Sequence, residues 1–196
     1  MKLLTLSTVA LLGVFGLAAC GSDDATKPAA QTGVSNSTPG AAFNDADVTF
    51  AQGMIPHHEQ AIEMADMALD PTTGSSDGVR DIATRIKAGQ DPEVTMMTAW
   101  LESWGQPVQM DMSEGHDMSS MDGMMTTEEM DALDALTGTE FDTMWMQMMI
   151  RHHEGAIAMA QTVKAAGSSP DALALADVVI LAQQAEIAEM KTLLAE

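Results

Sequence analysis

The sequence predicts an all-α fold, a ferritin-like antiparallel four-helix bundle made from a duplicated helical hairpin. Residues 54–65 and 149–160 are identical at nine of twelve positions, at an offset of 95. A weaker match follows in the same order, where 90–101 resembles 183–194 at an offset of 93. No segment alternates apolar and polar residues as a half-buried strand does. Two linked repeats with short internal loops and one long crossover are typical of such a bundle.

Helix-capping residues place the start of each predicted element. Asn44 with Asp47, and Thr139 with Asp142, have the spacing of a capping box. Ser169 followed by Pro170 is a cap with proline in the first turn. The predicted helices cover 44–69, 77–104, 139–166 and 170–195, with a short helix at 127–136 that opens with Thr126-x-x-Glu129.

Two prolines and one glycine add to this prediction. Pro56 and Pro92 lie inside predicted helices, so a kink or break is expected near each. Gly167 is expected to cap the C-terminus of the third long helix.

The first residues resemble an export signal. Lys2 precedes an apolar run that ends in Leu17-Ala18-Ala19-Cys20. This resembles a bacterial lipobox, in which the cysteine becomes the lipidated N-terminus. The sequence therefore predicts a signal peptide at 1–19 and an exported, membrane-anchored lipoprotein lipidated at Cys20. A flexible tether follows at 20–42, then one domain at 43–196 with a Met-rich crossover at 105–138.

Composition excludes several kinds of site. Cys20 is the only cysteine, which excludes intramolecular disulfides, zinc ribbons, iron–sulfur clusters and blue-copper centres. The net charge is −21, and removing 1–19 takes away only Lys2, leaving −22. Such a charge repels nucleic acid and anionic lipid and attracts cations.

Both repeats direct a His-His pair toward the predicted core. At about 100° per residue, His57 and His58 share the helix face of Met54, while Glu59 lies on the opposite face. The same arithmetic places His152 and His153 inside the bundle beside Trp145, Met149 and Ala156. A single buried histidine is commonly satisfied by a backbone carbonyl. Four imidazoles in one core instead predict a shared metal ion, because each brings polar nitrogens that need partners.

Neighbouring methionines point to the identity of the metal. Thioethers are soft ligands that select Cu(I), and Ag(I) behaves similarly. Ferritin-type iron sites need Glu-x-x-His motifs, which this chain lacks. Asp47 and Asp142 also face inward, although a capping role explains them. The predicted sulfur ligands within the bundle are Met54, Met64, Met97, Met148, Met149, Met159 and Met190.

The crossover carries a second group of soft donors. Residues 110–125 read MDMSEGHDMSSMDGMM, with no helical period and two glycines. Methionine gains little by burial in a polar loop, so these residues predict capture of a soft metal. The candidate ligands are Met110, Met112, His116, Met118, Met121, Met124 and Met125.

The doubled His-His-Glu-x-Ala-Ile-x-Met-Ala element resembles the CopM-like family of exported bacterial proteins. The resemblance covers about 43–196 and implies a ferritin-like bundle with a role in copper binding and resistance. It implies a metal-binding role for Met54, His57, His58 and Met64, and for Met149, His152, His153 and Met159. Pro56 stands where the second repeat has Arg151, so the two half-sites need not be equivalent.

Three functions remain open at this point. The favoured one is a binding protein that captures Cu(I) outside the cytoplasm and buffers it or passes it to a partner protein. The second is a copper redox enzyme such as a cuprous oxidase, which would need an open coordination position and turnover with oxygen. The third is a helical partner-binding module without metal.

Overall fold

Five helices make up the part of the chain that the computed structural model describes, residues 42–109 and 122–195. They are α1 (Asp45–Leu69), α2 (Asp77–Ser103), α3 (Thr127–Asp134), α4 (Gly138–Ala166) and α5 (Pro170–Leu193). Those ranges contain no strand, which confirms the predicted all-α class. None of the five helices is both long and apolar enough to cross a membrane.

Most of the predicted helix starts are confirmed by cap geometry. Asn44 and Asp47 form the capping box of α1, and Thr126 and Glu129 form that of α3. The Ser169 side chain accepts from Ala172 N at the start of α5. Helix α4 ends at the predicted cap, Gly167.

The capping box predicted from Thr139 and Asp142 is wrong. Helix α4 begins at Gly138, and the residue at its N-cap, Thr137, makes no side-chain capping bond. The Asp142 carboxylate is engaged elsewhere, because it accepts a hydrogen bond from Ser76 N at 3.0 Å. Ser76 is the N-cap of α2, so Asp142 secures a different helix from its own.

Asp47 in the first half of the molecule makes the equivalent connection to a helix of the second half. Its carboxylate accepts from the backbone N–H groups of Ser168 and Ser169, each at 3.0 Å. Ser169 caps α5. Each half of the molecule therefore uses one buried aspartate to hold a helix start in the other half.

The prolines do not interrupt their helices. Helix α1 runs through Pro56 and α2 runs through Pro92, so the expected breaks do not occur. Proline removes one N–H donor from the hydrogen bonds within the helix, and we attribute the continuity of these long helices to their packing.

The four long helices pack in a closed order around the core. Helix α1 packs mainly on α2 and α4, α5 packs mainly on α4, and smaller contacts join α5 to α1 and α2. Trp145 Nε1 donates to the Met64 carbonyl oxygen at 2.8 Å and ties α4 to α1. Short α3 packs on α4.

Candidate metal centre

Four fully buried histidines occupy a layer between two apolar clusters. Helix α1 contributes residues between Phe50 and Ile55 to the first cluster and residues between Ala61 and Ala68 to the second, and His57 and His58 lie between these two segments. Helix α4 meets the two clusters in the reverse order along the chain, and His152 and His153 lie between its contributions to them. All four side chains have 0% exposure. The predicted inward direction of both His-His pairs is correct.

The first histidine of each pair meets its counterpart from the other repeat. The ring centroids of His57 and His152 lie 3.8 Å apart, with 42° between the ring planes. The rings of His152 and His153 are 6.3 Å apart. Imidazoles from both halves of the molecule therefore share one interior space.

The second histidine of each pair is bonded to a glutamate. His58 Nε2 lies 2.7 Å from Glu93 Oε2, and His153 Nε2 lies 2.7 Å from Glu186 Oε2. Since an ionised carboxylate only accepts, the imidazole Nε2–H is the donor in each pair. The sequence did not predict this role of the glutamates, although Glu93 and Glu186 occupy the same position in the matching segments 90–101 and 183–194.

His57 bonds to the backbone rather than to an acid. Its Nε2 lies 3.2 Å from the Asp122 carbonyl oxygen, which can only accept, so Nε2–H again donates. A backbone acceptor of this kind leaves no residue-type signal, so sequence analysis could not identify it.

At least one nitrogen of every ring is left without a partner. Within the described part of the chain, no hydrogen bond reaches buried Nδ1 of His57, His58 or His153, or either ring nitrogen of His152. Each unsatisfied buried polar atom costs about 1–3 kcal/mol. Five such atoms within one buried layer are the main physical argument for a ligand there.

Burial keeps two of the rings neutral at ordinary pH. Desolvation lowers the pKa of His57 to about 3, with further lowering from His58 and His153 and an opposing contribution from the Asp122 carbonyl. Desolvation, and then the nearby His57, places the pKa of His152 well below its usual value. Neutral imidazole has a lone pair available for a metal ion.

Methionines from all four long helices flank the histidine layer, with three helices contributing on each side. Met54 and Met97 belong to one cluster, with Met159 packed against it. Met149, Met190 and Met64, their counterparts in the duplication, belong to the other. Met148 is also buried in that second cluster. The predicted sulfur donors of the bundle thus form two related sets around the histidines.

The crossover returns to the bundle at the histidine layer. The backbone at Asp122 and Gly123 lies so close to Gly155 that a Cβ on Gly155 would overlap the Asp122 carbonyl. The Gln60 side-chain amide makes two hydrogen bonds with the backbone of Met125. Met125 N donates to Gln60 Oε1 at 2.7 Å, and Gln60 Nε2 donates to the Met125 carbonyl oxygen at 3.0 Å. The two repeats differ at this position, where Gln60 corresponds to Gly155.

The crossover methionines differ in what the structure describes. Met125 is 3% exposed, and its sulfur accepts from Arg151 at 2.6 Å. The adjacent guanidinium charge opposes a second cation at that sulfur. Met124 is half-buried. Cys20 and the other predicted donors of the crossover, Met110, Met112, His116, Met118 and Met121, lie outside the described residues.

Methionine sulfurs are the other metal donors beside the imidazoles. In 42–109 and 122–195, no three His, Cys, Asp or Glu side chains are disposed to share a metal ion. Imidazole together with thioether sulfur is a donor set that suits soft cations better than zinc or iron.

The DUF305 family profile, a domain of unknown function, matches residues 47–194. The chain belongs to the DUF305 family. That match includes both His-His pairs and both glutamates of the site. A comparison with curated protein sequences finds no match.

Solved DUF305 structures share the fold. A DUF305 protein from Streptomyces coelicolor, described as a candidate secreted protein, is 32% identical with a TM-score of 0.69, covering 76% of this chain and 92% of that one. CopM in its Cu(II)-bound form is 34% identical with a TM-score of 0.64, covering 76% and 95%. CopM in its Cu(I)-bound form is 32% identical with a TM-score of 0.62, covering 74% and 93%. CopM has also been solved with silver.

Proposed function

We propose that this DUF305 protein is an extracytoplasmic copper-binding protein that captures Cu(I), and Ag(I) in its place, at the histidine layer. The observation that carries the proposal is the buried set of unpartnered imidazole nitrogens on His57, His58, His152 and His153. Methionine sulfurs lie in the clusters on either side of this layer. Similarity to CopM, which binds both copper oxidation states and silver, supports the same assignment.

The protein would buffer copper or transfer it to a partner protein. Thioether and imidazole ligands bind Cu(I) without the permanence of a thiolate cluster, so the ion can be passed on. The Met-rich segment 110–121 would supply additional, weaker sites. The strongly negative surface raises the local concentration of cations around the molecule.

Location outside the cytoplasm is part of this proposal. The Leu17-Ala18-Ala19-Cys20 segment favours export and lipidation at Cys20, with the bundle held near a membrane by the tether at 20–42. Mass spectrometry of the membrane fraction tests it, since the mature chain should begin at a Cys20 that carries lipid. A Cys20→Ser variant should lose the lipid and the membrane association.

An anaerobic Cu(I) titration against a competing chelator tests the site. We expect H57L/H152L and H58L/H153L each to lose the tightest binding. Deletion of residues 110–121 keeps the anchored Asp122–Met125 segment and should lose only weaker sites. Leucine replacement of Met67, a cluster-packed methionine outside the two sets, is the matched control. Full affinity in both histidine double variants would rule out this site.

Bound Cu(I) exposed to air distinguishes a binding protein from an oxidase. We expect at most one oxidation event per bound ion. Repeated turnover with oxygen would instead indicate a cuprous oxidase.

A further inference from the structure

We propose that Glu93 and Glu186 are positioning residues that make Nδ1 the metal-binding nitrogen of His58 and His153. We further propose that their charge strengthens the binding of Cu(II) at these two rings more than the binding of Cu(I). Both statements rest on the proposed copper-binding function, because they concern how that site holds its ion.

The two contacts are equivalent in both halves of the duplication. Glu93 on α2 reaches His58 on α1, and Glu186 on α5 reaches His153 on α4, each over 2.7 Å. The histidines are fully buried, and the glutamates are only 16% and 15% exposed. Exposed ion pairs gain little stability from a fixed geometry. The same contact at two buried histidines therefore indicates more than surface charge pairing.

Each contact determines which ring nitrogen is free. A carboxylate accepts a hydrogen bond from Nε2–H, so the neutral ring keeps its proton on Nε2 and carries its lone pair on Nδ1. Nδ1 of both His58 and His153 is buried and has no hydrogen-bond partner in the described ranges. Histidine ligands ordinarily donate their second N–H to a carboxylate or carbonyl, which fixes the ring for the metal.

The negative charge divides the four imidazoles into two kinds. His58 and His153 bond to carboxylates, whereas His57 bonds to a neutral carbonyl and neither nitrogen of His152 has a described partner. A carboxylate partner makes imidazole a stronger donor, which benefits the doubly charged ion more than Cu(I). The methionine sulfurs have the opposite preference.

Three pairs of substitutions in the full mature chain test this. E93Q/E186Q keeps a hydrogen-bond acceptor but removes the charge, and E93A/E186A removes both. E59Q/E154Q is the matched control, because Glu59 and Glu154 directly follow the same histidines but are exposed. Nitrogen-15 NMR of the metal-free chain at pH 8 should show the Nε2–H tautomer in wild type and the Gln pair, and a mixture in the Ala pair. A predominant Nδ1–H tautomer at His58 and His153 in wild type would overturn the proposal.

Metal-loaded samples test the coordination by Nδ1 and the effect of the carboxylate charge. With Ag(I), the nitrogen coordination shift should appear on Nδ1 of His58 and His153, and a shift on Nε2 would contradict the proposal. The Gln pair should bind Cu(II) about 10–100-fold more weakly while Cu(I) affinity changes much less. Equal losses for both ions, or an equal effect of E59Q/E154Q, would overturn the charge argument. If wild type binds no copper or silver, the proposed function fails, while the metal-free tautomer still decides the positioning role.

Discussion

The imidazole rings of His57 and His152 are in contact, with their centroids 3.8 Å apart and their planes tilted by 42°, one ring from each half of the duplication. Three of their four nitrogens lack a described partner. Two neutral rings placed in contact inside a core are expensive in the metal-free state, because water has been removed and nothing replaces its hydrogen bonds. The proposed copper-binding function would account for this loss of stability.

Replacing His152 with leucine should therefore stabilise the metal-free protein while weakening copper binding. Removing two unsatisfied nitrogens relieves about 1–2 kcal/mol after partial loss of packing. Urea unfolding of metal-free samples measures the change. Met149→Leu, a volume-conserving change one turn away in the same core, should alter stability by less than about 1.5 kcal/mol. A clear loss of stability in H152L would show that the ring serves the fold.

Metal-free stability should fall as the pH drops from 7 toward 4. The folded pKa of His57 is about 3, and that of His152 is also lowered, because burial disfavours the charged ring. Unfolded histidine titrates near pH 6.5, so the unfolded state binds more protons below that pH. Each ring then contributes a loss of up to about 1.4 kcal/mol per pH unit.

Urea unfolding at pH 7.5, 6 and 5 measures this slope. H57L/H152L should show a shallower slope, and its difference from wild type removes the common contribution of the many carboxylates. Parallel slopes for the two proteins would contradict the assignment.

Gly155→Ala should displace the crossover from the histidine layer. A Cβ there would overlap the Asp122 carbonyl, which accepts from His57. We expect a loss of at least about 2 kcal/mol, in the range for overpacking, with faster amide exchange at Met125. Gly89→Ala is the control, since nothing lies within 4 Å of a Cβ at Gly89. That exposed helical site should gain about 0.5–1 kcal/mol. Similar effects at both glycines would argue against a tight contact at Gly155.

Asp47→Ala should destabilise the fold without weakening copper binding. Asp47 accepts from Asn44, Ser168 and Ser169 backbone N–H groups, and losing charge-assisted bonds of this kind costs about 2–4 kcal/mol. Chemical unfolding and the Cu(I) competition titration measure the two quantities separately. The exposed Asp45→Ala change should be within about 1 kcal/mol of wild type. Weaker copper binding with unchanged stability would make Asp47 a ligand.

Much of the fold could be predicted because helical period and caps are local signals. The predicted starts of α1 and α4 differ from the observed ones by one residue, and both His-His pairs face inward as the wheel indicates. Asp142 was misassigned because a capping pattern does not show when a distant N–H competes for the same carboxylate. The role of Glu93 was missed for a related reason, since its partner lies 35 residues away. Only packing between helices could reveal it.

The divergence of the two repeats at Gln60 and Gly155 makes the halves non-interchangeable. Two identical hairpins could supply both His-His pairs, but both would carry either glutamine or glycine at this position. With Gln60 in one half and Gly155 in the other, the crossover has one position where it can both bond to the glutamine and approach the glycine. A chain assembled from two first halves should not seat the crossover correctly, because a glutamine would replace Gly155 where a Cβ overlaps the Asp122 carbonyl.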